Sequence, residues 1–145
     1  GLALLGGDPV PCDLAAAGLR LMIVDPRVRR APRAVTAEDS PVAAAAAVVA
    51  RGDFAALGAL LTAAHEAQPC DPEQQAAVTA ALRAGALGAR AISDGPGRPV
   101  CVLVAVDRVA AVRAAVSAEL TRDGGRAPRC LTFTPAPGPD QPALL

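Results

Sequence analysis

The stretch that most constrains this chain is Val100 to Val106, Val-Cys-Val-Leu-Val-Ala-Val, an almost wholly apolar and β-branched run. Such a run suits a strand buried on both faces. A second strand-like run, Ala86–Ile92, precedes it. Between the two lie Ser93, Asp94, Gly95, Pro96, Gly97, Arg98 and Pro99, too long for a two-residue hairpin turn and rich in turn formers. Glycine amides in a loop of this kind form a concave anion site, to which Arg98 would add charge. The same residues also make an ordinary polar turn between two core strands, and spacing does not separate these readings.

The rest of the chain supplies elements around that pair. Gly1 to Gly7 has the makings of a short strand ended by Gly6-Gly7-Asp8-Pro9, and Leu19–Asp25, stopped by Pro26, reads as a central strand. Arg27 to Arg33 is a basic, proline-bearing connection that could contact an anion, although arginines beside Pro32 more often make a solvated loop. Ser40 and Pro41 mark a helix start for an alanine-rich segment that ends at Gly52. Asp53 caps the next helix, where Phe54, Leu57, Leu60, Leu61 and Ala64 recur at helical spacing. Asp71-Pro72-Glu73 opens a third, running through Val78, Leu82 and Ala86. Asp107 is the expected cap of a fourth, with Val109, Val112, Val116 and Leu120 inward and Gly124-Gly125 at its end. Cys130–Thr134 reads as the last strand. The expected architecture is therefore α+β: a ferredoxin-like βαββαβ sandwich over residues 1–134, an antiparallel sheet with helices on one face. A proline-rich tail, 135–145, follows it.

Composition narrows the function. The 145 residues carry 14 basic and 14 acidic side chains, and every basic one is arginine. Alanine is roughly a quarter of the chain, against ordinary usage, while lysine, asparagine, tyrosine and tryptophan are absent. That pattern belongs to codon bias in a GC-rich genome, so the arginines carry no implication of phosphate by number alone. Zero net charge and no aromatic platform argue against nucleic acid as a partner. Cys12, Cys70, Cys101 and Cys130 are widely spaced with one histidine, which argues against a zinc site. No signal peptide or long apolar span is evident, so no membrane association and a reducing cytoplasmic setting are the expectation. His65 has no evident Ser, Cys or carboxylate partner, and a place near a helix C-terminus accounts for it without catalysis. The chain opens on Gly1 and not Met, with Leu2-Ala3-Leu4-Leu5 in mid-strand, as a piece of a longer protein would.

Several stretches in order resemble the C-terminal part of bacterial galactokinases, members of the GHMP sugar and metabolite kinases. Leu19–Asp25 continuing through Pro26-Arg27-Val28-Arg29-Arg30 is similar to the family's V-I-D-T-x-V-R-H strand and turn. Arg33-Ala34-Val35-Thr36-Ala37-Glu38-Asp39 resembles R-H-V-V-T-E-N. Arg51-Gly52-Asp53-Phe54 and Leu61–Glu66 look like the helix pair ending in Ser-His, and Phe133–Pro137 resembles the last strand. Gly88-Ala89-Arg90 opens the third motif, G-A-R-M-T-G-G-G-F-G-G-C. By that resemblance an intact relative phosphorylates galactose at its anomeric hydroxyl with ATP and Mg2+. The third-motif glycine loop closes over the phosphates, placing Ser93, Gly95 and Gly97 as cofactor-binding candidates.

The departures are as informative. Only Gly95 and Gly97 survive in register, and Asp94 with two prolines removes donors and repels phosphate. The family's phosphate cradle and base-bearing segment lie in its N-terminal half. No G-x-x-x-x-G-K-[ST] loop replaces them here. The resemblance therefore implies no turnover by this chain alone, no catalytic residue or metal ligand within it, and a kinase N-terminal half as partner. A non-catalytic ferredoxin-like module that binds a small ligand or pairs sheets with a partner is the alternative.

Overall fold

In the computed structural model, residues 2–5, 8–11, 14–28, 47–92, 97–122 and 124–133 are described. The expected helix start at Ser40 and Pro41, the site candidates Ser93 and Gly95, and the tail 135–145 lie outside the described residues.

Among the described residues six strands and three helices follow one another: β1 (Leu2–Leu5), β2 (Asp8–Pro11), β3 (Leu19–Asp25), α1 (Phe54–Glu66), α2 (Pro72–Arg83), β4 (Gly88–Ala91), β5 (Val100–Ala105), α3 (Val109–Thr121) and β6 (Arg129–Phe133). Residues 47–50 form a further helical turn, closed where Gly52 adopts a φ of 69°. β1 and β2 pair as a separate antiparallel hairpin. Asp8–Pro11 was not expected as a strand, because Pro9 and Pro11 suit only an edge.

The main sheet runs β4-β5-β3-β6, antiparallel at every pair. β3 and β4 flank β5, while β5 and β6 flank β3. These are two interlocked split β-α-β units, the expected α+β ferredoxin-like order. β5 is the central strand its composition demanded: Val100, Val102, Leu103 and Val104 are all buried. Side-chain alternation divides the sheet. Met22, Val24, Val100, Val102 and Val104 meet Ala77, Val78 and Ala81 of α2 and Val112 and Val116 of α3. Full burial of each valine contributes roughly 1.5–2 kcal/mol. The buried alanines let the helices sit close to the sheet. On the other side Leu19 and Leu103 join Leu14, closed by Phe54, Leu57 and Leu61 of α1.

Two element ends differ from expectation. Val106–Arg108 winds as a 3-10 turn, so α3 starts at Val109 and Asp107 is not its cap. Residues 86 and 87 stay out of β4, because Gly85 turns with a φ of 105° and the Ala86 N–H still bonds the Ala81 carbonyl.

β4 is an edge strand, and an unpaired edge invites wrong pairing. α1 covers it. Ala89 donates its N–H to Thr62 Oγ1 (3.4 Å) and Ala91 to His65 Nδ1 (3.1 Å), while Gln68 Nε2 donates to the Ala91 carbonyl (2.8 Å). Because Nδ1 accepts, the ring proton sits on Nε2, which donates to Gln75 Oε1 at 3.0 Å. His65 is thus a buried, fully paired edge cover.

Burial raises the Cys101 and Cys130 thiols above their ordinary value, with Arg90 and Arg113 respectively opposing it. The folded state therefore keeps thiol protons that the unfolded chain releases. Stability is full below about pH 9 and is expected to fall as pH rises past it. With no lysine or tyrosine to confuse the titration, urea midpoints at pH 8 and pH 10 check this. Cys101→Ser with Cys130→Ser should flatten the decline.

Candidate functional site

The loop between β4 and β5 is gripped at its base. Ile92 donates its N–H to the Pro99 carbonyl at 2.9 Å. Gln74, with no exposed surface, spans both ends: its Nε2 donates to the Ile92 carbonyl (3.0 Å) and the Pro99 carbonyl (3.2 Å). Its Oε1 accepts the Asp71 N–H at 3.0 Å, closing a capping box at the start of α2. One side chain therefore ties helix start to loop base. Gln74→Leu preserves bulk but strands the Asp71 N–H and Ile92 carbonyl. The expected loss is about 2–4 kcal/mol, read from the urea midpoint.

Arg98 does not add its charge to an anion site as expected. Its Nε lies 3.0 Å from Asp71 Oδ2, with both side chains about 5% exposed or less. The guanidinium is turned into the protein and neutralised by the carboxylate that begins α2.

Gly97 sits differently. It lines an open cavity of about 360 Å3 with Asp25, Arg27, Val28, Arg126 and Arg129. The register explains the gathering: β3 runs antiparallel to both β5 and β6, so its Asp25 end meets Val100's end of β5 and Arg129 of β6. Arg27 takes a φ of 62°, unusual for a residue with a side chain, and its N–H bonds Asp25 Oδ1 at 2.8 Å. Among the described residues a Cβ built on Gly97 would meet only Pro99 Cδ, at 3.8 Å.

Sequence reading found Gly97 but missed its companions. The Arg27–Arg33 segment reads more readily as a solvated loop than as an anion contact, and the connection holding Arg126 and Arg129 carries no motif. Asp71-x-x-Gln74 did carry a legible signal, since an acidic cap followed three residues later by glutamine is a capping box. Among the described residues no group of three or more His, Cys, Asp or Glu side chains gathers to hold a metal ion. No described helix is long and apolar enough to cross a membrane.

No protein-family model matches the chain. Its fold is similar to that of Lactococcus lactis galactokinase complexed with galactose, with a TM-score of 0.69 and 20% identity over 86% of this chain and 47% of that one. It is also similar to L. major mevalonate kinase (TM-score 0.57, 20% identity, 80% of this chain and 41% of that one). Homoserine kinase from Cytophaga hutchinsonii gives 0.55 at 18% identity, over 88% and 44%. The fold is thus that of the GHMP kinases. In sequence the chain is 37% identical to Streptomyces coelicolor galactokinase over 95% of its own length and 38% of the relative's. To Mycobacterium tuberculosis galactokinase it is 41% identical, over 72% of this chain and 31% of that protein. In sequence the chain is similar to the C-terminal part of galactokinases. It spans under two fifths of the length of these curated relatives.

Proposed function

We propose that this chain forms one wall of the cleft in a galactokinase-like sugar kinase, which phosphorylates galactose from ATP with Mg2+. The observation that carries the reading is identity of 34–37% with Streptomyces galactokinases over 95% of the chain. Gly97, with Ser93 and Gly95 by resemblance, is the candidate contact for the nucleotide; Arg98 and Gln74 anchor the base of the loop. The described residues offer no metal cluster, so in this reading Mg2+ arrives on the nucleotide or is held by the N-terminal kinase half. That half also supplies the phosphate cradle and the nucleophile-orienting group, so this chain by itself turns nothing over. In this reading residues 1–134 are the C-terminal domain of the kinase, 135–145 a proline-rich tail, and the setting is cytoplasmic.

Calorimetric titration with a non-hydrolysable ATP analogue and Mg2+ tests the reading. Binding that Gly97→Val abolishes is the expected result, since the backbone accepts a side chain there without a clash. No heat at millimolar analogue counts against it. The second reading, a non-catalytic interaction module, draws on Leu131, 60% exposed on edge strand β6. It predicts self-association or partner binding with no nucleotide response.

A further inference from the structure

We propose that the cavity lined by Arg27, Arg126 and Arg129 is a binding site for a phosphate oxyanion, with the three guanidinium groups as its ligands. The chain is neutral overall, yet three of its 14 arginines line this cavity, where Asp25 is the one carboxylate among the described lining residues. Arg98 pairs with Asp71 and Arg122 with Glu119. None of the cavity's three makes an ion pair with a described residue. The one carboxylate is also partly occupied, because Asp25 Oδ1 accepts the Arg27 N–H and holds that residue in its left-handed conformation. Convergent guanidinium groups recognise phosphate through paired N–H donors, which a lone ammonium cannot offer. Among the described residues Gly97 brings backbone without a side chain to the cavity lining, which leaves room for an anion beside the arginines.

The arginines come from three places far apart in the chain: the turn after β3, the α3–β6 connection and the first residue of β6. No continuous motif marks them; the antiparallel register of β3 with β5 and β6 assembles them. The role of this site within a catalytic cycle rests on the kinase reading above. Its existence does not.

Pyrophosphate and inorganic phosphate, each titrated into the full chain at low salt, test the site. Saturable binding is expected, weakened at least fivefold by Arg129→Gln and by Arg126→Gln. Arg51→Gln, an exposed change outside the cavity, should leave it unaltered. Tighter pyrophosphate assigns the site to a polyphosphate chain and tighter phosphate to a monoester; either supports it. No saturation at 10-millimolar-order concentration, or equal weakening by Arg51→Gln, overturns it. The nucleotide titration separates the two proposals. Pyrophosphate binding without analogue binding keeps the anion site and removes the kinase reading. Analogue binding untouched by Arg126→Gln and Arg129→Gln does the reverse.

Discussion

Gly58→Ala is expected to destabilise the protein by about 3 kcal/mol or more, although alanine in an exposed helix interior would stabilise it by about 1 kcal/mol. The sign is decided by contact. A Cβ on Gly58 would land on the Leu87 carbonyl, and one on Gly88 would land on the Gly58 backbone. Both obstacles are main chain, so no rotamer change relieves them. Gly58 is the point at which α1 lies directly on β4, one turn before Thr62 and two before His65 reach the strand's free N–H groups. Lifting the helix there loosens both hydrogen bonds as well as the packing of Leu57 and Leu61. Urea denaturation gives the cost, and amide exchange at Ala89 and Ala91 should quicken beyond the global effect. Gly97→Ala is the control, expected within about 0.5 kcal/mol of wild type because its Cβ meets nothing closer than 3.8 Å. A Gly58→Ala protein as stable as wild type would show that α1 does not seal the edge.

Local chemistry made much of this architecture readable. Asp53 caps α1 through its Oδ1 and the Ala56 N–H, as its place before an apolar helical pattern implied. The β-branched run at Val100 predicted the central strand because only burial on both faces accommodates it. What escaped reading depends on pairs distant in sequence. Thr62, His65 and Gln68 look like ordinary helix-end residues until α1 is laid along β4, 23 to 27 residues later. The cavity arginines share that character, since strand register alone brings Arg126 and Arg129 to Arg27. Arg98 misled for a related reason. Beside glycines it resembles a phosphate ligand, and nothing local announces that Asp71 will claim it.

Arg98→Met is therefore expected to cost about 3–5 kcal/mol, because it leaves the Asp71 carboxylate buried without its cation. Adding Asp71→Asn should recover most of that loss. Asparagine is neutral and still offers an oxygen to the first turn of α2, where Asp71 acts as cap. A double-mutant cycle read by urea denaturation isolates the coupling from the separate cost of shortening Arg98. A surface pair would show coupling of only about 0–1 kcal/mol. The same variants decide what the arginine is for. If Arg98 anchors the loop, the double variant regains stability and still responds to the ATP analogue, since Gly97 and the cavity arginines are untouched. If Arg98 were instead a phosphate ligand, Arg98→Met would unfold at nearly the wild-type midpoint and lose the response to the analogue. Buried at the start of α2 and held to the helix cap, the guanidinium fits the first outcome: the loop's one arginine positions backbone, and the charge facing an anion comes from the other side of the cavity.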